Sequence, residues 1–139
     1  MKLFILVSVA LSLFAQPVEL KVAAVQFRSS FDIADNTRRI IAKLEQLAGA
    51  GVHVAAFPEC AVSGYTTEAS FQPDDASLET AAREIGRACA RLRIAAVVGS
   101  VHRVNGHTYN VALVYDEKGD IVERFGKLQL AGEKWATPG

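Results

Sequence analysis

Two runs rich in valine and alanine, "LKVAAVQF" (residues 20–27) and "VHVAAF" (52–57), flank a stretch with helical periodicity. The runs are almost continuously apolar, which suits strands buried on both faces. Between them, Ile40, Ile41, Leu44, Leu47 and Ala48 recur at helical spacing, Asp35 or Asn36 is placed to cap the helix, and Gly49 and Gly51 to stop it. A strand–helix–strand unit joined this way makes a parallel pair, with Pro58 and Glu59 at the carboxyl end of its second strand.

A second helix is expected from about Ser77 to Arg93, its apolar face formed by Leu78, Ala81, Ala82, Ile85, Ala88, Cys89 and Leu92. "IAAVVGSV" (94–101) reads as a third buried strand. Then the pattern changes: Asn105-Gly106 and Lys118-Gly119 are turn signals between strand-forming residues, so an antiparallel meander follows. The expected order is βαβαβββ, an α/β fold with a mixed sheet and helices on its outer face. The closing "EKWATPG" reads as loop, leaving a sheet expected to be incomplete.

The first residues differ in kind. Lys2 precedes an apolar run from Leu3 to Ala15, then Gln16 and Pro17. As a helix that run reaches about 20 Å, short of the roughly 30 Å of a bilayer core. Residues 1–16 therefore read as a signal peptide, with residues 17–139 as the folded part and a secreted or periplasmic location. An uncleaved anchor is the alternative, or a misassigned start with a cytoplasmic protein. Of 139 residues, 15 are basic and 15 acidic, with no basic cluster, so no nucleic-acid partner is expected. Two cysteines are too few for a disulfide scaffold.

Four positions invite a chemical reading: Glu59, Cys60, Lys127 and Glu133. Glu59 follows a buried strand, where open α/β sheets place their ligands, and a carboxylate there suits proton transfer. Cys60 beside it is a tempting nucleophile, but neighbours on an extended segment point to opposite sides, so packing is the favoured role. Lys127, after "IVERF" and Gly126, can hydrogen-bond a developing oxyanion. Glu133 lies six residues further on in a loop and is a weak signal by itself. His53, His102 and His107 lack metal-ligand spacing, so no metal is assigned.

In order, "VAAVQF", "FPECAVSGY" and "VVGSVHRVNGHTYNVALVYDEKGDIVERFGKLQLAGEKWATPG" resemble the N-terminal half of the nitrilase superfamily, the carbon–nitrogen hydrolases. The resemblance runs from about Lys21 to Gly139. It implies a four-layer αββα sandwich when complete, assembled as homodimers or larger homo-oligomers. It also implies hydrolysis of a non-peptide C–N bond, in a small amide or nitrile, through a Glu-Lys-Cys triad with no cofactor. By motif, Glu59 is the general base, Lys127 the oxyanion-side lysine and Glu133 a second, assisting glutamate. Gln129 stands where the family usually has histidine. The nucleophile matches no position here; in the family it lies a few dozen residues beyond the lysine. The alternative is a non-catalytic relative that binds or scaffolds.

Overall fold

A computed structural model describes residues 19–139. The expected signal peptide, residues 1–16, lies outside the described residues. The elements follow the expected order: β1 (Val22–Ala24), α1 (Ile33–Gly49), β2 (Val54–Ala56), α2 (Asp75–Leu92), β3 (Ala95–Val104), β4 (His107–Tyr115) and β5 (Ile121–Gly126).

The five strands lie side by side in chain order, β1–β2 and β2–β3 parallel, β3–β4 and β4–β5 antiparallel. Helices α1 and α2 pack against each other on one face of the sheet, as the right-handed rule for crossovers between neighbouring parallel strands requires. That face carries the core: Ile40 and Leu44 of α1 and Leu78, Ile85 and Cys89 of α2 meet Ala55, Val98, Leu113 and Tyr115 of the sheet. The change to antiparallel pairing comes at the Asn105-Gly106 turn, where both residues have positive φ, 50° and 77°. That is the geometry of a tight hairpin turn whose twist matches its strands.

The opposite face is also apolar. Val22, Val97, Ala112, Val114 and Phe125 project from it, and Val22 and Phe125 remain 64% and 58% exposed. One helical layer and one sheet of a sandwich are thus present among the described residues.

Two local expectations are corrected. The first helix is capped by Asp32, whose side chain accepts from the N–H of Asp35 at 2.9 Å, and not by Asp35 or Asn36. Asn36 is instead buried in the first turn: it accepts from Ser30 N–H at 2.9 Å and donates to the carbonyls of Ser30 (2.7 Å) and Val62 (2.9 Å). It ties the loop after β1 to the turn after β2. Strands β1 and β2 are also shorter than their apolar runs, three residues each.

Candidate active site

The segment after β2 holds Glu59 by its backbone. Phe57 N–H donates to Val97 at 2.8 Å, Val62 N–H to Gly99 at 3.1 Å, and Gly64 N–H to Cys60 at 2.9 Å. The chain thus turns tightly over the middle of β3. Cys60 adopts a φ of 49°, so the segment is not extended at this point. The thiol is directed into the core because the turn carries it there, rather than by strand alternation. It is fully buried, and burial, with smaller contributions from Glu59 and Glu133, pushes its pKa up to about 12. Cys89 is buried in the helix–sheet core and pushed up to about 11, mainly by burial. Both are free thiols, and neither ionises readily at neutral pH.

Lys127 continues from β5, its N–H bonded to the Asn110 carbonyl at 2.8 Å. Its ammonium donates to Glu59 Oε1 at 2.8 Å and to Glu133 Oε1. Three of the four candidate positions, Glu59, Lys127 and Glu133, therefore meet at one point. The ammonium is held above the ordinary lysine range, first by its hydrogen bond to Glu133 and then by that to Glu59. It stays charged and serves as a donor.

Glu133 is the least exposed of the three, at 2%. Its position follows from the folding back of the 128–139 segment onto the loop after Cys60. Trp135 Nε1 donates to the Thr66 carbonyl at 2.7 Å and its ring packs edge-on against Phe71 with centroids 5.2 Å apart. The N–H groups of Lys134 and Thr137 bond to the carbonyls of Thr67 and Thr108. Glu133 Oε2 accepts from Ala131 N–H at 2.6 Å, and Tyr65 Oη donates to Oε1 at 3.4 Å. A buried carboxylate is tolerable only when paired and hydrogen-bonded, and this one is both.

The Lys127 hydrogen bond, aided by the backbone donors, holds the Glu133 carboxyl down to about 2 from an ordinary 4.5. A carboxyl with a depressed folded-state pKa contributes stability in full above its unfolded value. Stability is therefore expected to be lost as the pH falls from about 4.5 towards 2. Urea midpoints of the wild type and Glu133→Gln across that window check this: the wild type should fall more steeply. Parallel curves would show that Glu133 does not carry the loss.

Glu59 lies at the mouth of a hollow of about 320 Å³ on the open face of the sheet, its side chain 43% exposed. Phe57, Val97, Gly99, Ala112 and Phe125 line the hollow, with Asn110 and Lys127 at its polar end. Two of these residues escaped the sequence reading. Asn110, buried in β4, donates from Nδ2 to Glu59 Oε1 at 2.5 Å. Gly99 of β3 lies under the Glu59 turn, where a Cβ would come 2.3 Å from the Pro58 carbonyl oxygen and 2.7 Å from Glu59 Cα. The signal for Asn110 was a polar amide inside the strand "HTYNVALVY", and for Gly99 a glycine inside "AAVVGSV".

Among the described residues, no group of three His, Cys, Asp or Glu side chains comes together to hold a metal, and no helix is long and apolar enough to cross a membrane. What the arrangement can do is acid–base and oxyanion chemistry. Glu59 is an accessible carboxylate, Lys127 a fixed ammonium beside it, and Glu133 a buried counter-charge.

Comparison with known proteins bears on the fold and the family. The nitrilase homolog 2 of Dictyostelium discoideum is 24% identical over 113 residues, covering 79% of this chain and 34% of that protein. Among solved structures, a cysteine-to-serine variant of an amidase of the nitrilase superfamily, from Nesterenkonia sp. AN1, superposes with a TM-score of 0.79 at 19% identity. It covers 88% of this chain and 50% of that one. A glutamine-dependent NAD(+) synthetase from Cytophaga hutchinsonii superposes with a TM-score of 0.71 at 24% identity, covering 86% and 22%. The chain spans half or less of the length of these relatives. The sequence profile of the carbon–nitrogen hydrolases matches residues 21–139, nearly all of the described fold, and the chain belongs to that family.

Proposed function

We propose that the complete protein hydrolyses a non-peptide C–N bond, in a small amide or a nitrile, by covalent thiol catalysis. The observation that carries this reading is the Lys127 ammonium, bonded to both Glu59 and Glu133 at the mouth of the hollow. The nucleophile is a cysteine on a segment beyond Gly139. A glutamate-to-glutamine variant of the Nesterenkonia amidase carries the product of acrylamide addition at its active-site cysteine, which supports a thiol mechanism for this family member.

In this mechanism Glu59 takes the proton of the attacking thiol, and the thiolate adds to the amide carbon. Lys127 donates to the oxyanion that forms. Glu59 then returns the proton to the leaving amine and finally accepts one from the water that hydrolyses the thioester. Glu133 touches no reacting atom; it holds the Lys127 ammonium in place and keeps it charged. The apolar lining from Phe57, Val97, Ala112 and Phe125 favours a small substrate and a water-poor site. Residues 17–139 are proposed as the N-terminal part of the domain. We assign the protein to an exported location on the strength of residues 1–16, and to homodimers or larger homo-oligomers.

Ammonia release from a panel of small amides and nitriles by the full-length protein tests this reading. Turnover of at least one of them is expected. Specific binding without turnover would favour a non-catalytic relative that binds or scaffolds.

A further inference from the structure

Asn110 sits in the middle of β4, opposite Val101, and is 3% exposed. A buried amide has to satisfy both its oxygen and its NH₂ group. Here Nδ2 donates to Glu59 Oε1 at 2.5 Å, and Oδ1 accepts from the Cys60 thiol at 3.7 Å. Turning the amide over would set Oδ1 against the carboxylate oxygen, two acceptors face to face, so its orientation is fixed by its partners. Lys127 Nζ donates to the same Oε1 at 2.8 Å. Oε1 thus holds two donors, while among the described residues nothing donates to Oε2.

We infer that Asn110 is a positioning residue that engages Oε1 and leaves Oε2 as the oxygen that takes and returns the proton. The inference rests on the reading of Glu59 as general base. Donors on Oε1 stabilise negative charge there and leave Oε2 free of protein donors among the described residues. When the nucleophile is activated, its S–H bond breaks, an Oε2–H bond forms, and the electron pair stays on sulfur as thiolate. The same proton then passes from Oε2 to the leaving amine. Cys60 satisfies the other end of the amide: its thiol, pushed up to about 12 by burial, remains an S–H donor to Oδ1 at neutral pH. The cysteine beside the catalytic acid is then a strut for that acid, two hydrogen bonds removed.

The test uses the full-length protein and three variants, with kcat, KM, the pH–rate profile and the thermal midpoint measured for each. Asn110→Ala should lower kcat by about thirtyfold and leave KM within about twofold. Asn110→Asp keeps the shape but sets a second carboxylate against Oε1, and should move the acid limb of kcat/KM upward by about one pH unit. Cys60→Ala removes the donor to Oδ1 while Glu59 still holds Nδ2, and should cost no more than about twofold in kcat. A purely structural role would lower the thermal midpoint without moving the acid limb. If Asn110→Ala does not fold, Asn110→Asp carries the test. An active wild type whose Asn110 variants keep its kcat and acid limb would overturn this inference alone. A wild type without turnover would overturn both it and the proposed function.

Discussion

Glu59→Gln in the full-length protein is expected to reduce amide hydrolysis by about three to four orders of magnitude while leaving the fold intact. Glutamine has nearly the shape of glutamate and can still accept from Lys127 and Asn110 through its carbonyl oxygen. It cannot take a proton at neutral pH, and the proposed mechanism uses Glu59 for proton transfer at each stage. One general base contributes about 10²–10⁴ in rate, and a residue used repeatedly belongs at the upper end. The side chain is 43% exposed, so folding stability should change by less than about 1 kcal/mol. Lys127 keeps Glu133 as its counter-charge. Steady-state rates and the thermal midpoint of the variant check both halves. Retention of a tenth or more of the wild-type rate would remove Glu59 from the role of base.

Gly99→Ala should have a large effect for a single added methyl group. Its Cβ would fall 2.3 Å from the Pro58 carbonyl oxygen, 2.6 Å from the Cys60 nitrogen and 2.7 Å from Glu59 Cα. These are backbone atoms, so no side chain can swing away and the turn itself has to move. Overpacking of this kind costs about 1–3 kcal/mol, and the lack of a flexible neighbour places this case near 3. The displaced atoms carry Glu59, and a shift of about 1 Å in a catalytic group can cost a hundredfold in rate. Gly49→Ala is the matched control, since a Cβ there meets nothing within 4 Å and the site is distant. It should change stability by less than about 0.5 kcal/mol and leave the rate alone. Equal behaviour of the two variants in urea unfolding and in turnover would show that the close crossing at Gly99 is unimportant.

The contrast between these two glycines shows what can be read along a chain and what cannot. Helical spacing in α1 and α2 picked out the residues that became the core, because a helix buries every third or fourth side chain whatever lies opposite. The Asn105-Gly106 turn was legible because its backbone demands those residues. The cap was misplaced since Asp32, Asp35 and Asn36 all suit the role, and only the direction of the chain arriving from β1 chooses among them. Asn110 and Gly99 were missed for a different reason. Their importance comes from the loop that crosses them, which β–β register and the turn after β2 decide together. Glu133 looked weak in a loop of its own; its burial depends on Trp135 reaching the Thr66 carbonyl, 69 positions away in the chain. An extended backbone would by itself point Cys60 away from Glu59. What directs the thiol into the core is instead a turn with positive φ.

We propose that Glu59, Lys127 and Glu133 serve a cysteine outside residues 1–139. The most direct test is ammonia release from a simple amide, measured in parallel on the chain ending at Gly139 and on the full-length protein, each with and without Glu59→Gln. Turnover is expected from the full-length wild type alone. Turnover by the 139-residue chain, lost on Glu59→Gln, would contradict it, because the nucleophile would then have to be Cys60 or Cys89.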